Sequence, residues 1–250
     1  MVACEEITKF LDVYLNAAQI PDASHNGLQV QGYDRVSKIV FGVSASLELF
    51  RKAKASGADM IVVHHGLLWG KEEPLTGLFR DRVAFLLQHN ITLLGYHLPL
   101  DMHPVSGHNA LLMKALGAQA VQPFGQYHGL DIGFKGKLNA LPLDRAVQTL
   151  EAFCGAKANV LAYGPRQINS VGIVSGGAYS LLPQAIGQKL DLYVTGALDE
   201  PAQEWCREGK INCIALGHYN SEKPGVLALQ ELVAKHFGVQ TEFIDIANPI

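Results

Sequence analysis

Six short, almost unbroken apolar runs alternate with amphipathic segments along this chain, and no other feature restricts its fold as strongly. The first three are 38–44 (KIVFGVS), 59–64 (DMIVVH) and 91–96 (ITLLGY). The second three are 170–175 (SVGIVS), 190–195 (LDLYVT) and 211–216 (INCIAL). Strands buried on both faces read this way, and helices between them are the connections that parallel strands need. The helices expected are 47–55 and 80–89 in the first set, and 183–189 and 200–208 in the second. Gly42 and His64 are 22 residues apart, as are Ile173 and Thr195. The matching order and spacing predict two copies of one β-α-β-α-β unit. The fold class expected is therefore α/β: two similar α/β lobes from an internal duplication, each built on a parallel sheet covered on both faces.

The flanking segments fill in the rest. Apolar residues at Ile7, Phe10, Leu11, Tyr14 and Leu15 predict an opening helix over 7–18, ended before Pro21. Asn26-Gly27 signals a turn, and 28–30 alternates like a short strand. Further expectations are a helix over 109–116, a strand over 129–138, a helix over 143–153, and strands over 159–163 and 241–246. No low-complexity linker interrupts the chain. The lobes are expected at 1–125 and 126–250, with the last strand allowed to return to the first lobe.

Composition excludes several classes. The 250 residues are 48% hydrophobic and 17% charged, enough apolar material for a core and too little charge for a disordered chain. No run of eighteen apolar residues occurs, so no transmembrane helix is expected. The first residues lack the basic and apolar regions of a signal peptide, which points to the cytoplasm. A net charge of −3 weighs against a general nucleic-acid coat or an anionic-membrane binder. Cys4, Cys154, Cys206 and Cys213 form no C-x-x-C pair, so reduced thiols are expected rather than a zinc ribbon or a disulfide framework.

Histidine carries the chemical signal. Six of the ten histidines fall within the 45 residues from His64 to His108. The third run of each unit is followed by His-x3-carboxylate: His97 with Asp101, and His218 with Glu222. In open α/β sheets the ligand crevice lies outside the carboxyl ends of the strands. One such pair is a weak signal; two at equivalent places in a repeat, with His64-His65 at a third strand end, are a strong one. Neighbouring strand residues point to opposite faces. His64 and His65 therefore serve one centre only if the strand has already opened into a loop at Gly66, and otherwise serve different ions. Such a donor set suits Zn, Fe, Mn, Co or Ni rather than Mg or Ca. His103 and His108 read as exposed rings on the loop that caps the helix over 109–116. His25, His89, His128 and His236 read as ordinary. Gly176-Gly177 reads as a turn rather than a phosphate cradle, since no Lys-Ser/Thr follows. There is no G-x-S-x-G elbow.

Several stretches together resemble one family. They are Asn26-Gly-Leu-Gln-Val30, Val63-His-His-Gly66, Tyr96-His-Leu-Pro-Leu-Asp-Met-His-Pro104, Gly107-His-Asn109, Gly217-His218 with Glu222, and Phe243-Ile-Asp-Ile-Ala-Asn-Pro249. The chain resembles the NIF-three-like (YbgI-type) proteins, which carry the label GTP cyclohydrolase I type 2 homologue. The resemblance implies a dinuclear metal site between two similar lobes, and a ring-shaped homohexamer. Carried over by position, the metal ligands fall on His64, His65, Asp101, His218 and Glu222, with His97 beside them as the catalytic helper. The chain departs from the pattern after Thr195-Gly196, where Ala197 replaces an acid that relatives often carry; Asp199 and Glu200 come later. Two divalent ions with two carboxylates and neutral histidines would keep a formal charge of about +2, which favours an anionic substrate. The function implied is a dinuclear metal-dependent hydrolase acting on a nucleotide-like or other phosphorylated small molecule. The alternative is a metal-binding regulatory or scaffold protein without catalysis, engaging protein or nucleic acid.

Overall fold

The computed structural model describes residues 1–71 and 74–249. In chain order the elements are β1 (Val2–Ala3), α1 (Cys4–Tyr14), β2 (Gly27–Val30), β3 (Arg35–Val36), β4 (Lys38–Ser44), α2 (Leu47–Ala55), β5 (Met60–His65), α3 (Gly77–Gln88), β6 (Thr92–Gly95) and the single turn α4 (Leu98–Asp101). There follow α5 (His108–Ala115), β7 (Gln119–Tyr127), β8 (Leu130–Pro142), α6 (Leu143–Cys154), β9 (Asn159–Ala162), β10 (Gln167–Ile173), α7 (Leu182–Gly187) and β11 (Leu192–Thr195). The remainder are α8 (Ala202–Gly209), β12 (Asn212–Ala215), α9 (His218–Ser221), α10 (Lys223–Phe237) and β13 (Gln240–Phe243). The chain divides into two compact units, one made of Met1–Leu100 with Val226–Ala247, the other containing Asp101–Gly225.

The first unit holds a five-stranded sheet in the order β13-β4-β5-β6-β2. β4, β5 and β6 are parallel, paired for example at Ile39 with Met60 and at Val62 with Leu94. β13 joins β4, also in parallel. Only β2 runs against its neighbour, β6. The core under this sheet gathers Val40, Leu49, Phe50, Ile61, Leu86 and Leu93. α2 forms where expected because Ser46 caps it, its Oγ accepting from Leu49 N at 3.2 Å, while Leu49, Phe50 and Ala53 line one face. α1 stops earlier than Pro21 requires. Asn16 adopts the left-handed conformation (φ 53°), which Asn tolerates better than most residues, and the helix ends before it.

The second unit holds a six-stranded sheet in the order β7-β8-β10-β11-β12-β9. β10, β11 and β12 are parallel; β8 and β9 flank them antiparallel, and β7 pairs antiparallel with β8. Its core is built from Leu112, Leu150, Ile168, Val171, Leu192, Val194 and Ile214. The α/β class holds, but the expectation of wholly parallel sheets does not: the first sheet has four parallel strands with β2 antiparallel at one edge, and the second has three parallel central strands with antiparallel strands on both sides. β7 was not expected at all. It contains Pro123 and Gly125, which weaken a strand pattern, and most of it is exposed. The four cysteines are buried free thiols. Among the described residues no helix is long and apolar enough to cross a membrane.

Candidate metal centre

In the first unit β4, β5 and β6 run parallel, so Ser44, His65 and the residues after Gly95 emerge at one edge of the sheet. His64 is fully buried, and its Nδ1 lies 2.9 Å from the Tyr96 carbonyl oxygen. A carbonyl only accepts, so Nδ1 carries the proton and Nε2 of the neutral ring keeps its lone pair. His97 is fixed in the same way: its Nδ1 lies 3.0 and 3.1 Å from the two Asp22 carboxylate oxygens. His65 Nδ1 is 2.9 Å from Ser44 Oγ, its register partner on β4. The ring centroids are 4.5 Å apart for His64 and His65, 5.1 Å for His64 and His97, and 5.8 Å for His65 and His97. Each ring offers a nitrogen, all three within 4.8 Å of one another. A partner on Nδ1 that fixes the tautomer and aims Nε2 is the usual support of a metal-ligating histidine. β5 extends to His65, one residue further than expected, so the strand opens only at Gly66 and the two adjacent rings still lie side by side.

Asp22 is the residue that sequence reasoning missed. Its side chain is 1% exposed. It accepts from His97, from Ser24 N (3.0 Å), from Asn26 Nδ2 (3.0 Å) and from Leu98 N (2.9 Å). Burial alone would raise its carboxyl, but the hydrogen bonds from His97 and Asn26, the His97 charge and the Ser24 amide outweigh it and hold the group at about 2. Asn26, expected only as a turn residue, accepts from His97 N at 2.7 Å. The readable signal was Asp22-x-Ser-x-Asn26, a run of residues that bond their own backbone neighbours in turns. Tyr96 OH donates to Asp12 Oδ1 at 2.7 Å, and burial, then the Asp12 charge, push the phenol well above its usual range. Tyr96 therefore stays a donor.

The loop after β5 is held by Gln29, whose Oε1 accepts from Leu67 N (2.6 Å) and Leu68 N (3.3 Å). Gly66 leaves the room for it, since a Cβ there would collide with the Gln29 amide. Gly66→Ala should displace that amide and lower stability by about 1–2 kcal/mol, the cost of unmade amide bonds. Thermal unfolding of the metal-free protein checks this; an unchanged midpoint would rule out the clamp.

In the second unit Asp101 is buried, and its Oδ1 accepts from Ser175 Oγ at 3.0 Å. Asn109 ties this corner together, donating to the carbonyls of Asp101 (3.2 Å) and Ile132 (2.9 Å) and accepting from Ser175 N (2.7 Å). His108 corrects the expectation of an exposed ring: it is fully buried, with a ring nitrogen within 4.8 Å of an Asp101 oxygen. Its Nδ1 accepts from Gly225 N at 3.0 Å, which leaves the proton of the neutral ring on Nε2 and makes that nitrogen a donor rather than a ligand. His103 does cap its loop, its Nδ1 accepting from Ser106 N at 2.9 Å.

His218 and Glu222 follow β12, with Nε2 and Oε1 3.4 Å apart and the carboxylate side chain 4% exposed. Gly176-Gly177 forms the turn beside them. Gly176 has φ +69°, and a Cβ there would collide with Glu222 Oε1. Its carbonyl accepts from Gly196 N and Ala197 N, both at 2.9 Å. Asp199, two residues past Ala197, faces the Tyr179 hydroxyl and raises that phenol.

The family model of Duf34/NIF3 (NGG1p interacting factor 3) matches residues 2–249. The chain belongs to this family. A relative from Archaeoglobus fulgidus, named "GTP cyclohydrolase 1 type 2 homolog", is 42% identical over 241 residues, covering 96% of this chain and 97% of the relative. Two solved structures superpose on the whole chain, each fully covered in turn. One is the protein ybgI, described as of unknown function, with a TM-score of 0.92 and 35% identity. The other is TTHA1606 from Thermus thermophilus, with a TM-score of 0.92 and 33% identity.

Proposed function

We propose that this chain is a dinuclear metal-dependent hydrolase of an anionic, nucleotide-like or phosphorylated small molecule, with His64, His65, Asp101, His218 and Glu222 as ligands. The observation that supports it best is the fixing of His64 through Nδ1 by the Tyr96 carbonyl, an acceptor that makes the neutral ring present Nε2. Imidazole with carboxylate suits two divalent transition ions, from Zn, Fe, Mn, Co or Ni. Such a pair, when bound, supplies Lewis-acid activation of water and positive charge for a developing oxyanion. The chain's own residues do the rest. Glu222 and Asp101 bring two negative charges, and Ser175 fixes the Asp101 carboxylate. His97, its Nδ1 proton held on Asp22, takes up or hands over a proton at Nε2. The relatives' name, GTP cyclohydrolase 1 type 2 homolog, makes guanine nucleotides the first compounds to try.

Protein purified without chelator should approach two transition metals per chain. It should hydrolyse at least one member of a panel of nucleotides and phosphate esters, lose that activity to chelator and regain it on reloading. A protein that cannot be loaded would defeat the dinuclear reading. Two tightly held metals with no compound hydrolysed would favour the regulatory alternative. We also propose a cytoplasmic homohexamer; light scattering should give six 27.1 kDa chains, and a stable monomer at micromolar concentration would contradict it.

A further inference from the structure

Beside the histidine cluster of the first unit lies a cavity of about 310 Å³, lined by Leu67, Leu68, Trp69 and Phe79 with His25 and Lys71. Its volume sits near the lower end of small-ligand sites, about 300–1,000 Å³. The indole of Trp69 is held in place. Its Nε1 donates to the Gly66 carbonyl at 3.0 Å, and its ring meets that of His97 edge to face at 4.9 Å. The backbone beneath is stitched to the segment before β2: His25 N donates to Leu68 O (2.9 Å), and Gly70 N to Ala23 O (2.6 Å). Gln29 holds Leu67 and Leu68 from the other side. The backbone on the Trp69 side of the cavity is therefore braced, yet Trp69 remains 37% exposed.

A rigid, partly exposed aromatic face next to a set of ligand nitrogens offers two kinds of contact at once: stacking for a flat ring and charge for an anion. Lys71 adds a cation to the lining. We infer that the Trp69 cavity is the specificity subsite of the centre and takes a planar heteroaromatic ring that is covalently joined to the anionic group. This rests on the hydrolase reading for the position of the reacting end, and on the cavity alone for the ring.

The chain has two tryptophans, so Trp205→Phe leaves Trp69 as the sole indole reporter. In that background guanosine 5′-monophosphate should quench the emission saturably and bind at least about 10-fold tighter than ribose 5-phosphate, the usual scale of base–aromatic stacking. Uncharged guanosine should quench it in chelator-treated protein as well, which separates the subsite from the metals. By equilibrium dialysis, Trp69→Leu should weaken guanosine 5′-monophosphate about 10-fold and leave inorganic phosphate unchanged. Trp69→Phe, which keeps a ring, should recover most of the loss and serves if the leucine variant does not fold. Equal affinity of the parent for the nucleotide and ribose 5-phosphate would overturn the inference, and so would undiminished nucleotide binding by Trp69→Leu. Failure of the metal reading looks different: phosphate binding would ignore chelator while guanosine still quenched Trp69.

Discussion

Metal content in His64→Ala should fall from about two ions per chain to one or none, and hydrolysis by more than about 100-fold, since even the outer supports of a metal site are worth about 10–100-fold. Glu222→Gln keeps the side chain's size and removes its charge, so it should weaken one ion and suppress turnover with little change in the metal-free fold. His97→Ala separates helper from ligand. With its Nδ1 side committed to Asp22, loss of this ring should leave most of the metal in place and lower the rate about 10–100-fold. Metal analysis and turnover on the same preparations read all three. Full metal content and unchanged rate in Glu222→Gln would remove that residue from the site. His97→Ala that loses metal as completely as His64→Ala would make His97 a ligand.

Asp22→Ala should destabilise the metal-free protein by about 3 kcal/mol, because it leaves several buried donors unmatched and removes the partner of His97. For a chain of this size that is a drop of about 6–12 °C in the unfolding midpoint. Asp22→Asn should cost less, since it keeps part of the hydrogen bonding. The effect carries a pH signature. The folded carboxyl titrates at about 2, below its ordinary value of 3.8, so the unfolded chain takes up the proton first. The stabilisation, about 2 kcal/mol, is complete above about pH 4 and is lost as pH falls through about 2. Urea unfolding of the parent and Asp22→Asn should therefore diverge at about pH 7 and converge near about pH 2. A difference that stayed constant across that range would mean the carboxylate charge contributes nothing.

The sequence was most readable where one local rule sufficed. The bounds of β4 and α2 coincide with the apolar run and with the Ser46-capped amphipathic stretch. The strand-end positions of His64, His97 and His218 followed from the same pattern, because a parallel strand must end where its connection begins. What stayed hidden depended on distant partners. Asp22 matters through His97, 75 residues away, and Ser175 through Asp101, 74 residues away; no spacing rule reports such pairs. His108 looked like a loop residue because its partner is an amide 117 residues on. α10 was not anticipated, with Pro224 and Gly225 at its start. Yet proline near the first turn gives up an amide that has no partner within the helix anyway.

β13 has a consequence for synthesis. It pairs with β4 in the first unit, yet it is made only after all of Asp101–Gly225 has been translated. The Lys38–Glu242 ion pair at 2.7 Å and the stacking of Phe10 on His236 at 4.1 Å also wait for that final stretch. On the ribosome the whole six-stranded sheet of the second unit has been made while β4 still presents an open edge, the kind of strand that other chains can capture. A chain stopped at Gly225 should therefore lose its first unit to protease before its second. Once β13 has been made, it closes the sheet that the first hundred residues began.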